Sequence, residues 1–134
     1  MANIKDIEGI GPTYARQLEQ AGISTTGKLL EAAATKPGRM KLAETTGLSE
    51  KLILEWVNRA DLFRVTGIGE EISDLLEAAG VDSVPELATR KPENLHDKLV
   101  EVNHAKKLVR NVPGTTQINK FVAEAKKLPK LVTH

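Results

Sequence analysis

A chain of 134 residues suits one ordinary domain or two small ones packed together, and 40% hydrophobic against 28% charged residues is the balance of a folded protein. Aromatic residues amount to 3% (Tyr14, Trp56, Phe63, Phe121), so the core falls to Leu, Ile, Val and Ala and no base-stacking platform is visible. Cysteine is absent, which excludes disulfides and thiolate metal sites, and no apolar run approaches the roughly 20 residues of a membrane span. With no signal-like apolar segment at the N-terminus, the expected location is cytoplasmic, without membrane attachment.

The formal charge of +1 is unevenly spread. Residues 1–62 balance eight Lys/Arg against eight Asp/Glu, residues 63–103 carry a net −5, and residues 104–134 a net +6. A basic segment of this kind meets phosphate, an acidic protein surface or the acidic middle of its own chain.

The first element in chain order is a glycine turn, Ile7-Glu8-Gly9-Ile10-Gly11. Pro12, tolerated in a first helical turn, and Gly22, suited to an αL cap, predict a helix over about residues 12–21. Helices are expected next near 26–34, 38–46 and 49–62, with Gly47 as a stop. In the last of these Leu52, Ile53, Trp56, Val57 and Ala60 share one face at helical spacing, which makes Trp56 a core anchor rather than a ligand stack. A second turn, Val65-Thr66-Gly67-Ile68-Gly69, precedes a helix over 70–79 closed by Gly80. Ser83 to Glu86 reads as a capping box that opens another helix, with Glu86 reaching back to the Ser83 amide. Helices near 93–102, 104–111 and 115–128 come next, ended or interrupted by Pro92, Pro113-Gly114 and Pro129. No segment alternates like a strand, so the fold class is all-α.

The chain repeats itself at an offset of 58 residues. Gly9-Ile10-Gly11 matches Gly67-Ile68-Gly69, Ala21-Gly22 matches Ala79-Gly80, and Leu18 and Leu29 match Leu76 and Leu87. Trp56-Val57 and Ala60 match Phe121-Val122 and Ala125 at an offset of 65, which places an insertion in the second copy near Val112-Pro113-Gly114. The expected architecture is two tandem units of about five short helices each, residues 1–62 and 63–134, packed as a pseudo-repeat, the second ending in a basic helix.

Two helices joined by so short a turn need glycines for positive φ and close backbone approach, with Ile10 or Ile68 plugging the space between them. The turn amides and the next helix N-terminus then point outward together, which suits an oxygen anion. Ile7-x-Gly9-Ile10-Gly11 with Ala15 and Leu18 resembles the helix-hairpin-helix signature of DNA repair, replication and recombination proteins. The stretch from Gly22 to Leu62 is similar to the N-terminal domain of recombinases and the C-terminal domain of the bacterial polymerase alpha subunit. Two such units in tandem resemble a family defined only as a domain of unknown function.

That resemblance implies backbone contacts to DNA phosphate in a minor-groove, sequence-tolerant manner. The first hairpin fits, with Gly9, Ile10, Gly11, Thr13, Tyr14 and Arg16 combining turn amides with a hydroxyl and a guanidinium. At the second, Gly67, Ile68 and Gly69 are followed by Glu70, Glu71 and Asp74, which repel phosphate and stabilise their own helix by about 0.3–1 kcal/mol each. Further cations for a phosphate backbone are Lys28, Lys36, Arg39, Lys106, Lys107, Arg110, Lys120, Lys126, Lys127 and Lys130, whose alternative is ordinary solvated surface.

No catalytic constellation is present. His96, His104 and His134 lack metal-ligand spacing and read as surface residues; Ser24, Ser49, Ser73 and Ser83 read as caps or helix surface. No phosphate-binding loop or dinucleotide fingerprint extends the glycine turns. Hairpins of this type in relatives can hold a monovalent cation, which leaves potassium or sodium at the Gly9–Gly11 carbonyls as an alternative that no side chain supports; beyond it no cofactor, metal or small-molecule substrate is expected. The expectation is a non-enzymatic module binding DNA through the first hairpin. The rival is a protein-interaction adaptor that keeps the fold without binding DNA, favoured by the neutral total charge and Glu70-Glu71.

Overall fold

The computed structural model describes residues 2–133. The chain divides into two compact units, Met1–Asp61 with Lys130–His134, and Leu62–Pro129. The first unit holds a 3-10 turn at Ile4–Asp6 and helices α1 (Pro12–Gln20), α2 (Thr26–Ala33), α3 (Lys36–Thr46) and α4 (Glu50–Leu62), the last ending where the second unit begins. The second holds α5 (Glu70–Ala78), α6 (Val84–Ala88), α7 (Pro92–Lys106) and α8 (Thr115–Lys127). The described residues form no strand, only one isolated bridge between Asn3 and Thr25, so the fold is all-α.

Side-chain caps punctuate the first unit. Asn3 Oδ1 accepts from the Lys5 amide at 2.9 Å while the Asp6 carboxylate accepts from the Asn3 amide at 3.3 Å, closing the 3-10 turn at its start. Gly22, at φ +85°, turns the chain out of α1, and Ile23 N–H donates back to Leu18 O at 2.9 Å. The Thr25, Thr35 and Ser49 hydroxyls accept from the Lys28, Gly38 and Leu52 amides and so open α2, α3 and α4. Gly47, at φ +77°, ends α3. α3 lies against α2 so closely that a Cβ on Gly38 would sit 2.2 Å from Ala32 O.

Arg39 completes this packing. It is 3% exposed, and its guanidinium donates to Ala33 O at 3.1 Å, Ala34 O at 2.9 Å and Thr133 O at 2.6 Å. Two of these are carbonyls at the C-terminal end of α2, which have no intrahelical donor and carry the negative end of the helix dipole. The third lies in the segment after Lys130, where Thr133 N–H donates to Ala34 O at 2.9 Å and Val132 is buried. A phosphate-binding role for Arg39 is therefore overturned: its charge is spent on the helix end. The residues from Lys130 on, expected in the second unit, group with the first for the same reason.

In the second unit α8 packs on α6 and α7, and α7 on α5, around Leu76, Leu87, Leu95, Leu99, Phe121 and Val122. Gly80, at φ +92°, ends the first of these helices as Gly22 does, with Val81 N–H donating to Leu76 O at 2.8 Å. Ser83 Oγ accepts from the Glu86 amide at 3.4 Å, but the expected reciprocal bond from Glu86 is replaced. Its carboxylate takes Nε and Nη2 of Arg90 at 3.2 and 2.9 Å, a charge-assisted pair stronger than a bond to a neutral amide. Ser73 is not at the surface: it is buried and its hydroxyl donates to Glu70 O at 2.8 Å.

Between 92 and 114 the expected pair of helices is one. Pro92 sits in the first turn of α7 rather than interrupting a helix, and α7 runs through to Lys106. The helix expected over 104–111 does not exist, because Lys107 takes the left-handed conformation (φ 51°) and donates to Asn103 O at 2.7 Å. Asn103 also fixes the loop beyond the helix end, its Nδ2–H donating to Val109 O and its Oδ1 accepting from Val109 N–H. Each unit thus carries four α-helices among the described residues rather than about five. Corresponding helices start 58, 58, 56 and 65 residues apart, so the extra residues of the second copy are shared between a longer α7 and the loop before α8.

Candidate nucleic-acid interface

The two glycine turns have nearly the same backbone. Gly9 has φ +92° and Gly67 φ +90°, and in each the next amide closes the turn: Ile10 N–H to Ile7 O and Ile68 N–H to Val65 O, both 3.1 Å. Ile10 and Ile68 are each 5% exposed, so these side chains are core plugs and only their backbone is available to a ligand. Positive φ is confined to the first glycine of each pair. Gly11 and Gly69 are extended N-caps of α1 and α5, with open space where a Cβ would stand.

The α-helix expected ahead of each turn is found at the second and not at the first. Ahead of Gly9 there is only the 3-10 turn Ile4–Asp6, and ahead of Gly67 α4 ends at Leu62. What each turn does position is the next helix. Gly11 has no side chain to cap α1 and Pro12 has no N–H, so the Thr13 and Tyr14 amides of the first turn are left without an intrahelical or side-chain acceptor. Gly9, Gly11, Thr13 and Arg16 are exposed, and Arg16 makes no ion pair among the described residues. Tyr14 is half-buried, its ring tilted 55° against that of Trp56 with centroids 5.2 Å apart.

Trp56 is the floor of this turn. It is 2% exposed, as a core anchor should be, and its Nε1 lies 3.7 Å from the position a Gly9 Cβ would take. At the second turn Phe121 occupies the corresponding place, its Cε1 3.1 Å from the Gly67 Cβ position.

The second turn differs in its electrostatics. Thr66 N–H and Thr66 Oγ–H donate to the two oxygens of the Glu124 carboxylate at 2.8 and 2.9 Å. An oxyanion from the chain itself thus already holds these donors, and Glu70 and Glu71 stand at the first turn of α5. Beside it a groove of about 650 Å³ runs between Thr66, Gly67 and the start of α8, with Lys120 on its wall. The first unit has a groove of about 530 Å³ between the end of α1, α2 and α3, bordered by Lys28 and Lys41.

Of the further cations, Lys28 lies 3.7 Å from Glu31, and Lys36, Lys106, Lys107, Arg110, Lys120, Lys126, Lys127 and Lys130 are exposed; only Arg39 is taken into the core. His96 is half-buried next to Asp97, His104 is exposed, and His134 lies outside the described residues. No cluster of three metal-ligating side chains occurs among the described residues, and no described helix is long and apolar enough to cross a membrane.

No curated protein and no solved structure matches the chain. A family model does, over residues 8–128, a span that runs from the first glycine turn through the whole of α8, and by that match the chain belongs to the family described as Domain of unknown function (DUF4332).

Proposed function

We propose that this protein is a non-enzymatic module that binds nucleic acid with little sequence preference, the first hairpin gripping phosphate oxygens through backbone amides. The observation that carries the reading is the contrast between the turns. Both turns present exposed glycines and a helix start without a side-chain cap, but the first adds Arg16, which makes no ion pair among the described residues, whereas at the second Glu124 already takes the Thr66 donors and Glu70 and Glu71 stand in the first helical turn. Glu8, exposed beside Gly9, is the one opposing charge in the turn.

The test is fluorescence anisotropy of labelled duplex and single-stranded DNA at low and near-physiological salt. Each neutralised phosphate adds about 0.9 to the salt slope. Arg16→Glu weakens binding at least tenfold and Glu8→Gln tightens it; absence of binding by the parent protein at low salt sinks the reading.

The second reading, a protein-interaction adaptor, is favoured by one observation: Val100 on α7, in the acidic stretch, and Leu108 just beyond the helix, among lysines, are 45% and 37% exposed apolar side chains. Under that reading both DNA titrations are flat and Val100→Asp abolishes capture of the partner.

A further inference from the structure

We propose that the indole N–H of Trp56 is a ligand donor of the first hairpin, and that the group it recognises is a non-bridging oxygen of a phosphodiester. This rests on the reading of that hairpin as a phosphate site and extends it to a side chain the sequence pattern assigns wholly to the core.

Trp56 is 2% exposed, yet its Nε1–H has no hydrogen-bond acceptor among the described residues. Gln17 Oε1 and Asn58 Oδ1 are the buried side-chain atoms left without a partner among the described residues, and the Trp56 nitrogen is not one of them: the ring is covered while its N–H stays open to solvent, where a ligand oxygen can take the place of water. The packing stripe on α4 explains the ring, since the same face is served in the second unit by Phe121, which carries no donor. It does not explain the N–H.

The position of the nitrogen does. It lies 3.7 Å from the Cβ position of Gly9, and Gly9 is exposed, so the space beside the nitrogen is the turn itself rather than the interior. The same ring carries the Tyr14 contact, and Tyr14 is the residue whose amide is the third position of α1. The indole therefore joins the glycine turn to the uncapped helix start, and its proton belongs to one set with the Thr13 and Tyr14 amides. All three donate and none accepts, which suits an anionic oxygen and disfavours a metal ion. In the second unit, where the aromatic is Phe121, the corresponding turn is served by a carboxylate of the chain itself, Glu124. In the second unit the nitrogen near the Gly67 Cβ position is Gln117 Nε2, at 4.0 Å, and the turn there is already held by Glu124; a donor beside a free turn occurs in the first unit alone of the two.

The experiment uses the full chain and labelled duplex DNA at low salt. Trp56→Phe copies the residue of the second unit, and Trp56→benzothienylalanine keeps the bicyclic shape while replacing N–H by sulfur. The expected result is about a tenfold loss of affinity in both variants, the size of one charge-assisted hydrogen bond, with the melting temperature of the benzothienyl variant unchanged. Because Trp56 is the only tryptophan, its emission also shifts when the parent protein binds. Parent-like affinity in the benzothienyl variant, with Arg16→Glu still impaired, overturns the role of the N–H and leaves the hairpin reading standing; the donor then serves water. No binding by the parent protein overturns both.

Discussion

Arg39→Met removes three hydrogen bonds while keeping most of the aliphatic stem that packs between α2 and α3. The carbonyls of Ala33, Ala34 and Thr133 lose a charged donor at 3.1, 2.9 and 2.6 Å. Bonds to a charged donor contribute about 1.5–3 kcal/mol each, and a buried acceptor left unmade costs about 1–3 kcal/mol. Ala34 O keeps its bond from Thr133 N–H, and water regains part of the helix end, so the net loss is about 3–4 kcal/mol. At roughly 3–5 °C per kcal/mol for chains of this size, the melting temperature falls by roughly 10–20 °C. Circular dichroism at 222 nm reads the melt, and amide exchange at Thr133 reads the segment that Arg39 holds: its protection collapses before that of α8. Below the shifted transition DNA affinity stays at the parent level. A variant that melts within about 3 °C of the parent while binding DNA more weakly would refute the clamp and return Arg39 to the surface.

Other substitutions probe the backbone. Gly9→Ala costs about 1–2 kcal/mol for a left-handed alanine, and Gly67→Ala costs more, because its Cβ also meets Phe121 at 3.1 Å; urea midpoints of the two variants give the order. Gly38→Ala forces α3 away from Ala32 O and destabilises by about 2–3 kcal/mol, whereas Gly114→Ala, with open space around it, stays within about 0.5 kcal/mol. Lys107→Gly relieves a left-handed lysine at the end of α7 and raises stability by about 0.5–1 kcal/mol in the same assay. A loss in place of that gain would show that the lysine side chain stabilises the turn.

Legible in the sequence is whatever one residue decides by its own stereochemistry. Pro12, Gly22, Gly47 and Gly80 mark real helix ends, and Ile10 and Ile68 are buried between turns as their spacing requires. Illegible is whatever depends on partners that meet only in space. Arg39 reads like any exposed cation because its acceptors include Thr133, 94 residues away. Lys107 ends a helix without the Gly or Asn that advertises a left-handed cap, so the run from 104 to 111 reads as helical. Glu86 has two suitors, its N-cap amide and Arg90, and only geometry chooses the guanidinium. At the candidate site the glycines are legible, but the Glu124 carboxylate on Thr66 and the indole nitrogen beside Gly9 are not, since each joins positions more than 45 residues apart.

The Val132 and Thr133 contacts set an order on biosynthesis. The second unit is one uninterrupted stretch, Leu62–Pro129, and everything it needs has been translated once Pro129 leaves the ribosome. The first unit is synthesised earlier but lacks Val132, which is buried in the finished protein, and the third carbonyl that receives Arg39, that of Thr133. It must wait, with the carbonyl end of α2 solvated, while roughly 70 further residues emerge, several seconds at about 5–20 residues per second. In the cell the half made first is therefore finished last, and a nascent chain stalled within α8 exposes the end of α2 to whatever chaperone is nearby.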